Sequence, residues 1–138
     1  MKNLFSSKSI FLPEGIAVVR LIVGVLIIYH GQEVFNSEIM NGYITWDTFS
    51  NPYGKYMVYA GKCSELLAGI LIFLGWYTRI GSILLMGTML YITFFVGQGR
   101  FWYEDQHPFM FAMMGLVFFF YGSGIWSIDK ILNRNKQK

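Results

Sequence analysis

A few ionisable side chains lie in or beside stretches that are otherwise apolar. They are Arg20, His30, Glu33, Lys62 and Glu65. An ionised group surrounded by hydrocarbon costs several kcal/mol unless it is paired or hydrated. We therefore expect these side chains either to form ion pairs between helices or to line a polar pocket that binds a ligand.

The spacing of these residues predicts specific pairs. At about 1.5 Å of rise per helical residue, two antiparallel helices bring Arg20 within reach of Glu65, and Lys62 within reach of Glu33. Lys62 and Glu65 are also three residues apart on one helix, where they can pair with each other. One interpretation is structural, because such pairs set the register of two helices. The other is a pocket between the first two helices, in which Arg20, His30 or Lys62 donates hydrogen bonds to a ligand.

A second polar group follows the ends of the apolar stretches. Its members are His30, Gln32, Glu33, Gln98, Glu104, Asp105 and His107. Histidines and carboxylates can bind a metal or move a proton. However, the two histidines come from different stretches and no tight ligand spacing is present. We therefore predict no metal site, and an outer polar rim that includes Gln98 and His107.

The composition identifies the environment of these residues. Of 138 residues, 54% are hydrophobic and only 14% are charged, whereas soluble domains carry roughly 25% charged residues. The basic residues are too scattered for a nucleic-acid-binding face. The single cysteine, Cys63, excludes a disulfide within the chain, and we expect it to be a buried, inert thiol. These features predict an integral membrane protein.

The apolar stretches predict an all-α, antiparallel bundle of four transmembrane helices in a single domain, 1–138. A span needs about 20 mostly apolar residues, which places the helices at about 13–35, 56–77, 79–98 and 107–124. The tail 127–138 is predicted to form an amphipathic helix on the inner leaflet, with Ser127 as its N-cap. Seven basic residues flank one side of the spans, namely Lys2, Lys8, Arg79, Lys130, Arg134, Lys136 and Lys138. Only Lys55 and Arg100 flank the other side, so both termini are predicted to be cytoplasmic.

Three motifs in this order resemble the DoxX family of small four-helix membrane proteins. The first comprises Arg20-Leu21, Gly24, His30-Gly31 and Phe35. The second comprises Glu65 to Leu71 and the sequence Leu74 to Arg79. The third is Gly122-Ser123-Gly124-Ile125-Trp126-Ser127-Ile128-Asp129. The resemblance covers about residues 14–132.

The resemblance implies a multi-pass protein of the inner (cytoplasmic) membrane, related to the membrane subunit of thiosulfate:quinone oxidoreductase. It implies a subunit or accessory protein of a redox system, with a quinone as the candidate ligand. The sequence has no flavin, haem or Fe–S motif and no self-contained catalytic motif, so a partner redox subunit would supply the electron carrier. The alternative is a non-catalytic scaffold or a small-solute carrier. A homo-oligomer is compatible with either hypothesis.

Overall fold

The computed structural model describes residues 9–135, and within that range the chain is helical and contains no strand. The α-helices are α1 (Leu12–Gly31), α2 (Ser37–Ile44), α3 (Gly54–Leu74), α4 (Thr78–Tyr91), α5 (Gln106–Tyr121) and α6 (Ile128–Asn135). Short 3₁₀ turns occupy Gln32–Phe35 and Asp47–Phe49, and a π-helical turn at Ile92–Val96 extends α4. The predicted all-helical fold is confirmed.

Among the described residues, three helical stretches are long and apolar enough to cross a membrane. They are Leu12–Phe35, Gly54–Leu74 and Thr78–Val96. The fourth apolar helix, Gln106–Tyr121, is shorter. Two predicted helix ends were too late, because glycines with positive φ stop the helices: Gly75 (φ 62°) follows α3, and Gly122 (φ 83°) follows α5.

Helices α1 and α3 pack with their backbones almost in contact. A Cβ added to Gly24 would lie 2.7 Å from the backbone of Phe73, and one added to Gly69 would lie 2.7 Å from the backbone nitrogen of Ile28. A Cβ on Gly31 would clash with Leu66. Small residues permit this close approach, as in many membrane helix pairs. At these three glycines the first two long helices are therefore in direct backbone contact.

Helices α3 and α4 form an antiparallel hairpin because only residues 75–77 join them. The main apolar core contains residues from α1, α3, α4 and α5: Val23, Ile27, Ala68, Ile72, Leu85, Met89, Phe111, Ala112 and Phe118. A smaller cluster, with Met40, Phe49 and Val58 at its centre, attaches residues 36–50 to the start of α3. We call residues 36–50 the cap, because they cover this end of the helices.

The segment after α5 returns to the α3–α4 hairpin. The Asp129 carboxylate accepts hydrogen bonds from the backbone N–H groups of Tyr77 (2.9 Å) and Thr78 (3.1 Å), at the start of α4. Ser127 caps α6 as predicted, since its Oγ accepts from the Lys130 N–H at 3.3 Å. The predicted tail forms a helix over Ile128–Asn135. Residues 136–138, together with Lys2 and Lys8, lie outside the described part of the chain.

Candidate functional site

The prediction that Glu65 pairs with Arg20, Lys62 or both is confirmed for Lys62, 3.0 Å away, but Arg20 and Glu65 do not form a pair. Arg20 is fully buried, and its Nη1 donates to the carbonyl oxygens of Ile72 (2.6 Å) and Phe73 (2.7 Å) at the end of α3. Its Nη2 donates to the carbonyl oxygen of Trp126 at 2.7 Å. Arg20 therefore joins the carboxyl end of α3 to the segment after α5.

Side-chain direction explains why the pair does not form. In an α-helix every Cα–Cβ bond tilts toward the helix N-terminus. Because α1 and α3 are antiparallel, Arg20 extends toward one end of the bundle and Glu65 toward the other. The helical rise gives the positions of the Cα atoms along the helices and does not include the opposite directions of these two side chains. The last carbonyls of a helix lack partners in the following turn, and Arg20 reaches two of them in α3, of which that of Ile72 also accepts from the Gly75 N–H at 3.1 Å.

The predicted contacts of Lys62 are confirmed. Its ammonium lies 2.8 Å from Glu33 Oε2 and 3.0 Å from Glu65 Oε2, and it also lies 3.5 Å from the carbonyl oxygen of His30. Glu65 is only 3% exposed, while Lys62 and Glu33 are partly buried. We call Glu33, Lys62 and Glu65 the ion cluster. With both carboxylates ionised and Lys62 protonated, it carries one more negative than positive charge.

The cap contributes a tyrosine to the ion cluster. The Tyr43 hydroxyl donates to Glu33 Oε2 at 2.7 Å, and Lys62 Nζ lies 5.0 Å from the centre of the Tyr43 ring. Burial, together with the hydrogen bond to Glu33, raises the pKa of the Tyr43 phenol above its ordinary value. Tyr43 thus remains a hydrogen-bond donor at neutral pH, and it ties the cap to the ends of α1 and α3.

A cavity of about 240 Å³ lies beside the ion cluster. Its polar wall is formed by His30, Lys62, Glu65, Thr88 and His107. The rest of its wall is largely apolar, with Tyr43, Trp46, Phe49, Met57, Val58, Gly61, Met89, Tyr91, Ile92, Val96, Pro108 and Phe111. Trp46 and Met57 are 48% and 37% exposed. His107, at the start of α5, is exposed as well, so exposed side chains from the cap, α3 and α5 line the cavity.

The two histidines face each other in this cavity, and their ring centres are 5.7 Å apart. Thr88, on the same polar wall, donates from its Oγ1 to Ser64 Oγ at 2.8 Å, which joins α4 to α3. Beyond that bond α4 enters its π turn, where Thr93 Oγ1 donates to the Met89 carbonyl at 2.8 Å. Such π turns occur frequently at functional sites, and here the turn forms part of the cavity wall.

The DoxX family model matches residues 15–98 of this sequence. The chain belongs to the DoxX family. No curated protein and no solved structure matches it. The DoxX match includes Arg20, the whole ion cluster and the cap, and it ends before α5. Family membership and the three long apolar helices make the chain a multi-pass membrane protein.

Several site residues of this DoxX chain lie where the sequence did not place them. Arg20 does not line the cavity, and Glu33 lies behind the two lining residues that it contacts, Lys62 and Tyr43. Gln98 is exposed and its backbone N–H donates to Asp105, while His107 does line the cavity. Three of the predicted pocket residues, His30, Lys62 and Glu65, line the cavity, whose other walls come from the cap, α4 and α5 as well as from α3.

Other findings concern the cap and the remaining reactive side chains. Sequence reasoning missed Tyr43, Trp46 and Phe49 as cavity residues, although their aromatic character in a loop of a membrane protein was the available signal. Cys63 was predicted to be buried but is exposed. Within residues 9–135, no three His, Cys, Asp or Glu side chains converge to hold a metal ion.

Proposed function

We propose that this DoxX protein is a subunit or accessory protein of a redox system in the inner (cytoplasmic) membrane, and that its cavity binds the ring of a quinone. The observation that carries the proposal is the cavity itself. It combines a wide apolar and aromatic wall with a few polar side chains, the usual composition of a small-molecule site.

The size of the cavity supports a ligand with one ring. A cavity of about 150 Å³ in a protein core binds benzene, and the cavity beside the ion cluster measures about 240 Å³. A benzoquinone ring with small substituents therefore fits. Any long isoprenoid tail would leave the cavity past one of its exposed lining residues, which are Trp46, Met57 and His107.

Electron transfer through such a site requires a partner. The sequence contains no flavin, haem or Fe–S motif, so the partner redox subunit would bring the electron carrier. The DoxX chain would bind the ring, and its buried polar groups would orient it.

Ligand-dependent stability tests the proposal. Trimethyl-1,4-benzoquinone, added to the protein in detergent, is expected to raise the free energy of unfolding by about 2.7 kcal/mol at a hundredfold excess over its Kd. Gly61 lines the cavity, and a Cβ at Gly61 or at Gly87 would have open space around it. Gly61→Leu should fill the cavity and abolish the increment, whereas Gly87→Leu should retain it.

Two results would contradict the quinone site. An increment that survives in Gly61→Leu would show that the ligand binds elsewhere. No increment in the parent protein would favour the second candidate, a non-catalytic scaffold or small-solute carrier. The close backbone contact between α1 and α3 at their glycines is the observation that favours a scaffold. Liposomes containing only this chain would distinguish these two, because a carrier moves its solute without a partner.

We further propose that α5 is a fourth span and that both termini are cytoplasmic. The basis is the uneven distribution of flanking basic residues and the apolar character of Gln106–Tyr121. In a Cys63→Ser background, a cysteine at Asn51 should react with an impermeant thiol reagent added outside, and one at Asn135 should not. The opposite pattern would refute the orientation.

A further inference from the structure

The hydrogen-bonding capacity of the cavity is unevenly distributed between donors and acceptors. A lysine ammonium has three donors and no acceptor. Lys62 has three acceptors around it: Glu33 Oε2, Glu65 Oε2 and the His30 carbonyl oxygen. Lys62 therefore has no donor left for a ligand, although it lines the cavity.

The groups that remain are mostly acceptors. Glu65 lines the cavity, and within residues 9–135 its Oε1 accepts no hydrogen bond. The ring nitrogens of His30 and His107 make no hydrogen bond to the described residues either, and each neutral imidazole offers one donor and one acceptor. The Thr88 hydroxyl already donates to Ser64. A carboxylate oxygen is thus the strongest open group, and it can only accept.

The charge of the ion cluster acts in the same direction. Two carboxylates, Glu33 and Glu65, surround one ammonium, Lys62. When both carboxylates are ionised and the histidines are neutral, a net negative charge lies at the polar wall. This charge attracts the positive end of an O–H dipole and repels the partial negative charge of a carbonyl oxygen. In a site of low dielectric constant this difference is larger than it is in water.

Resting on the proposed quinone site, we infer that the cavity binds a neutral hydroquinone in preference to the corresponding quinone. A hydroquinone hydroxyl donates to Glu65 Oε1, whereas a quinone has only acceptors and finds no donor except a histidine N–H. A carbonyl oxygen placed beside Glu65 meets no donor there, and a buried polar group left unpaired costs affinity. Each tenfold preference for the reduced form raises the two-electron midpoint potential of the bound couple by about 30 mV.

The inference is tested by comparing three probes that share one ring. They are trimethylhydroquinone, trimethyl-1,4-benzoquinone and the dimethyl ether of trimethylhydroquinone. Under anaerobic conditions in detergent, trimethylhydroquinone should bind at least tenfold more tightly than the other two. The dimethyl ether matters because it keeps the ring in its reduced form but has no O–H donor.

Two matched variants locate the preference. Glu65→Gln replaces an acceptor-only carboxylate by an amide with N–H donors, so the preference should fall to about one or invert. Glu33→Gln removes the same charge from the ion cluster at a side chain that does not line the cavity, so it should lower the preference for the hydroquinone less than Glu65→Gln does and should not invert it. If Glu65→Gln does not fold, the three probes on the parent protein still decide the question.

The outcomes separate this inference from the proposed function. Quinone binding that equals or exceeds hydroquinone binding would overturn the preference and leave the quinone site standing. Equal binding of the hydroquinone and its dimethyl ether would also overturn it, since the O–H groups would then contribute nothing. If none of the three probes binds, both the site and the preference are refuted.

Discussion

Replacing Arg20 with lysine keeps the positive charge but removes the two separate donor nitrogens of the guanidinium. The guanidinium reaches two separate groups of acceptors, because Nη1 donates to the end of α3 and Nη2 donates to Trp126. A lysine ammonium is a single compact donor group and does not span both. We expect Arg20→Lys to keep its contacts with α3 and to lose the contact with Trp126.

The magnitude follows from the lost bond. A hydrogen bond to a charged group contributes about 1.5–3 kcal/mol, and the contact between Arg20 and Trp126, at 2.7 Å, is one such bond. Arg20→Lys should therefore lower the free energy of unfolding by about 1.5–3 kcal/mol. Arg20→Met should cost more, since the same side chain makes two further bonds of 2.6 and 2.7 Å.

The assay is unfolding in mixed detergent and SDS micelles, followed by helical circular dichroism. Limited proteolysis should also show earlier cleavage between α5 and α6 in Arg20→Lys. The matched control is Arg79→Lys, an exposed arginine near the same end of the bundle, which should change stability by no more than about 0.5 kcal/mol. Equal stability of the two variants would refute the assigned role of Arg20.

Two further substitutions test the packing of the helices. Gly69→Ala places a Cβ 2.7 Å from the nitrogen of Ile28, and ordinary contact begins near 3.4 Å. The helices must therefore separate by the difference, about 0.7 Å, which should lower the free energy of unfolding by about 1–3 kcal/mol. The control, Gly87→Ala, has open space around the added Cβ and should leave stability unchanged or raise it. Equal stability of the two variants would contradict close packing of α1 and α3. Asp129→Asn should cost about 1 kcal/mol, because it removes the carboxylate that accepts from the N–H groups at the start of α4. The control, Glu104→Gln at an exposed side chain, should change the unfolding free energy little. An unchanged melting curve for Asp129→Asn would show that the Asp129 carboxylate does not stabilise α4.

The helices were predictable because their signal is local. Long apolar stretches and the short turn after Leu74 are enough to indicate the long helices and the α3–α4 hairpin. Helix ends depended on single glycines with positive φ, Gly75 and Gly122. The sequence shows these glycines but does not show which of them leaves the helical conformation.

The partners of the ionisable residues were only partly predictable. Lys62 and Glu65 lie three residues apart on one helix, so their contact followed from spacing alone. The partners of Arg20 are backbone carbonyls. Every residue has one, so residue types do not indicate which carbonyls accept from Arg20. The cavity escaped prediction for a similar reason: it depends on how Trp46 and Phe49 fold over α3, and residue types do not reveal that arrangement.

The bond between Arg20 and Trp126 also has a consequence for biosynthesis. Its two residues are 106 positions apart, so the arginine enters the membrane with the first helix long before its last acceptor has been translated. Until then the guanidinium lacks one of its hydrogen-bond acceptors, and a chain whose translation stops before Trp126 never gains it. The bond thus distinguishes finished chains from truncated ones, and truncated products should be degraded faster in cells than the complete protein.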